Sequence, residues 1–143
     1  MTDSSSSNAF DLQFKPHHFG ISVNNLEESI AWYCEVLGFE VAKRFAVETV
    51  PFKAAFVTRE GFNVEIFEVE GAGSLPAGRR VPNEDLKTQG NKHMAFQVDD
   101  IKALFTHFKE IDVDIAWDVF PMGDEFGGFI RDNTGNLIEF VQL

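Results

Sequence analysis

The fold is decided by the stretch His18-Phe19-Gly20-Ile21-Ser22-Val23-Asn24-Asn25-Leu26. A version of it returns 75 residues later as His93-Met94-Ala95-Phe96-Gln97-Val98-Asp99-Asp100-Ile101. Each copy opens on a histidine, alternates apolar with small or polar residues, and closes on a side chain suited to capping a helix. Further on, each copy sets a glutamate among strand-forming apolar residues, as Val64-Glu65-Ile66-Phe67 and Ile138-Glu139-Phe140-Val141. The histidine-to-glutamate spacing is 47 residues in the first copy and 46 in the second. Matching motifs at matching intervals mean a duplicated unit.

Working outward, each half reads as a strand, a helix and three further strands. Strands are expected near 17–24, 39–47, 53–58 and 62–69, then near 92–98, 112–117, 126–131 and 137–142. The first helix begins after Asn25, where Asn25-Leu26-Glu27-Glu28 has the form of a capping box. Leu26, Ile30, Tyr33 and Leu37 recur at helical spacing, and Gly38 is placed to end the helix. The second helix follows Asp100, with Ile101, Leu104, Phe105 and Phe108 inward. Asp132-Asn133-Thr134-Gly135-Asn136 is turn chemistry. The expected organisation is a polar tail (1–14), then one α+β domain (15–143). That domain consists of two βαβββ modules (15–70 and 92–143) forming a cupped mixed sheet, joined by a long loop (71–91). Residues 121–128 read as a second, shorter rim or lid.

Strand alternation then sorts the chemistry. Phe19, Ile21 and Val23 share the face that must meet a helix, so His18, Gly20 and Ser22 look the other way. By the same parity His93 leaves the helix side, and so do Glu65 and Glu139. His17 has the opposite parity and falls outside this set. A carboxylate between apolar neighbours is costly to bury alone. Two imidazoles and two carboxylates on one inner face are most simply stabilised by a divalent cation. Two N and two O ligands with two open positions suit Ni, Co, Mn, Fe or Zn, one ion per site.

Composition bounds the rest. The chain has 143 residues, 44% hydrophobic and 24% charged, with a mean hydropathy of −0.12, as expected of a globular domain. Twelve basic against 23 acidic residues give a formal charge of −11, a field that repels phosphate backbones and argues against nucleic acid as a partner. No apolar run is long enough to span a membrane, and the polar start lacks the pattern of a secretory signal. The single cysteine, Cys34, excludes an internal disulfide and fits a cytoplasmic protein; beside an apolar helical stripe it reads as an inert thiol. The sixteen phenylalanines read as core.

Three segments carry a family resemblance: His18 to Ser29, Trp32-Tyr33-Cys34-Glu35-Val36-Leu37-Gly38-Phe39, and Asp132 to Phe140. They resemble the vicinal oxygen chelate superfamily, which includes glyoxalase I, methylmalonyl-CoA epimerase, extradiol dioxygenases and bleomycin-resistance proteins. The resemblance covers residues 15 to 143. It implies paired modules forming a cup around a metal, within one chain or across a homodimer, and a dimer is the expectation here. The superfamily's ligand positions fall on His18, Glu65, His93 and Glu139, a set similar to bacterial-type glyoxalase I. That enzyme holds glutathione with an arginine four residues after the first histidine and an asparagine four after the first glutamate. Ser22 and Val69 stand there instead, a departure that argues against a glutathione adduct as substrate.

The resemblance implies an isomerase, lyase or epimerase that removes a proton beside a metal-chelated carbonyl of a small molecule. Glu139 is the expected base, and Glu65 a ligand or partner base. Phe56 and Phe67 would line an apolar pocket. Arg79 and Arg80 would either clamp a substrate carboxylate or phosphate or stay a solvated loop pair. Two other readings stand beside this one. One is an Fe(II) ring-cleaving dioxygenase using His18, His93 and Glu139; the other is a non-catalytic small-molecule binder of antibiotic-resistance type.

Overall fold

The computed structural model describes residues 11–143; positions 1–10 of the expected polar tail lie outside the described residues, and 11–14 are exposed coil. The first module runs β1 (Phe19–Ser22), α1 (Leu26–Leu37), β2 (Glu40–Val47), β3 (Phe52–Arg59) and β4 (Phe62–Val69). The second runs β5 (Met94–Gln97), α3 (Ile101–Glu110), β6 (Ile115–Met122), β7 (Glu125–Arg131) and β8 (Leu137–Gln142), and a short α2 (Pro82–Asp85) lies between the modules. Strand order is β1-β4-β3-β2 in one sheet and β5-β8-β7-β6 in the other, so the eight strands among the described residues form two four-stranded mixed sheets. In each, the first strand pairs in parallel with the last, and the other pairings are antiparallel.

Two expectations need correction. The segment 121–128 is not a lid: Pro121 and Met122 end β6, and β7 begins at Glu125, which makes this stretch the tip of a hairpin. The sixth strand accordingly extends well past 117, its register broken by bulges around Trp117. The 71–91 connection is not wholly irregular either, since Ala77–Arg80 forms a 3₁₀ turn directly before α2.

Both helices start as the sequence dictates. Asn25 accepts from the Glu28 amide and Asp100 from the Ala103 amide, each at 3.0 Å. One further orphan donor of each helix is met from the sheets. The Leu26 amide donates to Glu68 Oε1 at 2.7 Å, and the Ile101 amide to Gln142 Oε1 at 2.8 Å. Glu68 and Gln142 each follow their module's ligand-candidate glutamate by three residues, so the same strand fixes helix and site together. Gly38 ends α1 with φ 71°, and its amide bonds Cys34 while that of Phe39 reaches Tyr33.

The helix-facing sides of the two modules merge into one apolar core. Ile21, Leu26, Ile30, Tyr33, Val57, Val64 and Ile66 of the first module share it with Met94, Ile101, Phe105, Phe108, Ile138 and Phe140 of the second. Phe96 packs edge-on against both Phe39 and Phe62. The turn 132–136 docks on the first module. Tyr33 donates to Asp132 Oδ2 at 2.7 Å, Ser29 to Asn133, and the Asn24 amide to Thr134. Asp132 is 4% exposed, and its Oδ1 also accepts from the amides of Thr134, Gly135 and Asn136. Burial and the neighbouring Asp132 carboxylate push the Tyr33 phenol well above its ordinary value. Among the described residues no helix is long and apolar enough to cross a membrane.

Candidate metal centre

The sheet faces turned away from this shared core carry the candidate ligands. Glu65 lies in register with Gly20 on one side and Phe56 on the other; Glu139 lies likewise between Ala95 and Phe129. The small residue on the edge strand leaves room for a histidine two positions earlier to lean over the glutamate. His18 Nε2 stands 3.1 Å from Glu65 Oε1, and His93 Nε2 stands 3.1 Å from Glu139 Oε1. Glu65, His93 and Glu139 are partly buried, while His18 is exposed at 36%. An aromatic ring fixes each imidazole from the side. Phe56 meets His18 edge-on at 5.2 Å between centroids, and Phe129 meets His93 in the same way at 5.0 Å. The duplicated motif thus yields two superposable half-sites.

The four residues do not converge within one chain. Among the described residues no group of three or more His, Cys, Asp or Glu side chains is placed to hold a metal together. The physical cause is the shared core: both helix-side faces are spent on each other, so the ligand faces look outward from the two sheets. Each pair by itself fits a metal well. Two donors at about 2.1 Å from one ion and at right angles to each other stand about 3.0 Å apart. The observed N···O separations are compatible with that bite, and they are equally those of an imidazole–carboxylate hydrogen bond.

Strand alternation and the structure agree that these four residues leave the helix side, and Phe56, expected to line a pocket, stands opposite Glu65. Phe67 lies one residue pair along from Glu65 and packs edge-on against Phe52. Missed were the aromatic rings of the second half. Trp117 stacks on Phe120 at 4.3 Å, and Phe129 lies nearly parallel to Phe120, with 3° between their planes. A signal for Phe129 existed: it precedes Glu139 by ten residues, as Phe56 precedes Glu65 by nine. The bulged register of β6 hid Trp117 and Phe120 from any parity argument.

Arg79 and Arg80 do not form a clamp beside the histidines. Arg79 binds the buried Asp85 at 2.6 Å and the Asn91 carbonyl, a carboxylate that Lys92 also reaches. Arg80 donates to the Thr134 carbonyl and lies over Gly135, where a Cβ would stand 2.7 Å from its guanidinium carbon. Arg80 does line a cavity of about 600 Å³ with Ser22, Asn24, Val69, Thr134 and the loop 71–76. The Cys34 thiol is pushed up by burial, as an inert cysteine should be.

A duplicated βαβββ chain with a histidine and a glutamate at equivalent points of each half belongs to the glyoxalase/bleomycin resistance protein/dioxygenase superfamily, whose model matches residues 15–140. The uncharacterized protein YwbC of Bacillus subtilis (strain 168) is 31% identical over 130 residues, spanning 87% of this chain and 94% of that protein. The fold is also that of a trypanothione-dependent glyoxalase I from Leishmania major, with a TM-score of 0.70 at 23% identity over 91% of this chain and 87% of the other. A glyoxalase family protein from Enterococcus faecalis gives 0.75 at 20% identity, over 89% and 96%.

Proposed function

We propose that this chain is a divalent-metal-dependent enzyme of glyoxalase type whose metal site forms between two copies. His18 and Glu65 of one copy would meet His93 and Glu139 of the other. The observation that carries this reading is the repetition of one His–Glu pair, with the bite of adjacent metal ligands, on two outward sheet faces. The arrangement of edges supports it as well: β1 and β5 are each paired on one side only, and these are the strands that follow the two histidines. Bringing those edges together across a two-fold axis would join the half-sites twice.

His18, Glu65, His93 and Glu139 would hold a dication (Ni, Co, Mn, Fe or Zn), which would supply Lewis acidity to stabilise negative charge on a substrate oxygen. The chain's own residues do the rest. His18 and His93 hold their positions against Phe56 and Phe129. Glu139 would take the proton from the carbon beside the bound oxygen and return it to the rearranged product. Glu65 would stay a ligand or act as partner base, giving back on the opposite face a proton for the one that Glu139 removed. Phe45 stacks on Phe56 and Trp117 on Phe120, so the walls beyond the ligands are aromatic. They suit a compact apolar body carrying two adjacent oxygens, and with Ser22 and Val69 in place of polar anchors they favour such a molecule over a glutathione adduct. The three-ligand dioxygenase reading is disfavoured because Glu65 stands to His18 just as Glu139 stands to His93. The reaction class is therefore isomerisation, epimerisation or lyase chemistry.

The test is elemental analysis and sedimentation after loading with each metal in turn. One ion per chain in a dimer is expected, together with exchange of a substrate C–H proton in D₂O. A protein that retains no divalent metal would sink the proposal.

A further inference from the structure

We propose that His17 is a positioning residue for the metal centre, acting on His18 through a ring-to-ring hydrogen bond. This rests on the reading of His18 as a ligand. His17 Nδ1 lies 2.8 Å from His18 Nδ1, while the opposite nitrogen of His18, Nε2, faces Glu65. Two imidazole nitrogens can bond at that distance only if one carries a proton and the other a lone pair. A histidine that ligates through Nε2 must carry its proton on Nδ1. Without a metal the contact to Glu65 calls for the proton on Nε2. With a metal on Nε2 the proton moves to Nδ1, so that His18 would be the donor and His17 Nδ1 the acceptor, with its own proton on Nε2. A metal-binding imidazole whose second nitrogen is held in this way keeps its ring angle and gains basicity.

His17 is exposed, yet its neighbour His18 and two contacts from other parts of the fold fix it. Asn63, on β4, donates to its carbonyl at 2.8 Å. Its ring meets His18 edge-on at 5.0 Å and Phe56 edge-on at 6.1 Å between centroids. Phe56 therefore braces both imidazoles at once. The second half lacks this device. Its equivalent residue is Lys92, whose ammonium is taken by Asp85 and by the Thr88 carbonyl. The two copies of the repeat have diverged at this position, so one histidine of the proposed site has a basic ring behind it and the other does not.

The experiment compares Co(II) affinity, by competition with a chromophoric chelator, for the full-length protein and for His17→Leu and His17→Asn. Asparagine sets its Oδ1 where His17 carries Nδ1 and so keeps an acceptor. Leucine is expected to weaken binding by about 10- to 100-fold, the usual loss when an outer partner is removed, with asparagine recovering most of it. In the zinc-loaded wild type, the His18 Nδ1 proton should appear as a slowly exchanging low-field resonance that is absent from the leucine variant. Unchanged affinity in the leucine variant, or equal loss in both variants, would overturn the role of acceptor while leaving the metal site standing. A wild type that binds no cobalt overturns the site reading, and this inference with it.

Discussion

A metal site shared between copies predicts complementation between two variants that are each defective alone. The first would carry His18→Ala with Glu65→Ala, the second His93→Ala with Glu139→Ala. Each removes one 3.1 Å pair and leaves the other intact. The pairs are partly solvated, so their loss should cost stability no more than about 1 kcal/mol each, and both variants should fold. In a homodimer of either variant, every composite site keeps only two of four donors. In a mixed dimer, one site lacks all four and the other is whole. Co-expression at equal levels gives mixed dimers as about half of the population, so about a quarter of all sites should be intact. The assay is Co(II) absorbance, with metal content measured on the protein after gel filtration. Recovery near a quarter of wild type, against near zero for either parent, is the expected outcome. No recovery in material shown by mass spectrometry to contain mixed dimers would refute the reasoning, because sites built within single chains cannot be repaired by mixing.

Three further outcomes follow from the same geometry. Glu65→Gln should lower both metal content and turnover sharply; retention of both would restore the three-ligand arrangement of His18, His93 and Glu139. Tyr33→Phe removes a buried donor from Asp132 and should destabilise the chain by about 1.5–3 kcal/mol in urea titrations. In the wild type the raised Tyr33 value means that the native state keeps a proton the unfolded chain loses above pH 10 or so. The Tyr33 contribution should therefore be intact below that pH and fall as pH rises through the folded value, with a steeper loss between pH 9.5 and 11 in wild type than in Tyr33→Phe, about those limits. Equal slopes would count against it. Gly38→Ala places a methyl at φ 71° and 2.5 Å from Arg59 Nη1, and should cost about 1–2 kcal/mol as read by thermal melts.

The sequence by itself determined the duplication, the elements of each half and the face on which His18, Glu65, His93 and Glu139 lie. These are consequences of local periodicity, since neighbouring strand residues must point to opposite sides and Asn25 and Asp100 can cap only the helix that follows them. His17 escaped because parity sorts only side chains that face a site directly, and its ring acts on His18 from behind. Trp117 and Phe120 escaped because bulges shift the register of β6. Tertiary structure alone decided how the halves meet. The turn 132–136 reads as a plain loop, yet its Asp132 and Asn133 bind Tyr33 and Ser29 about a hundred residues away. Arg79 reads as an anion clamp or a solvated loop residue, but Asp85 holds it. Above all, each half has one apolar face, and that face could have been covered in more than one way without changing a residue. Covering each with the other turns the ligand pairs outward, and the free energy of that choice is spread over a core drawn from both modules, where no single motif records it.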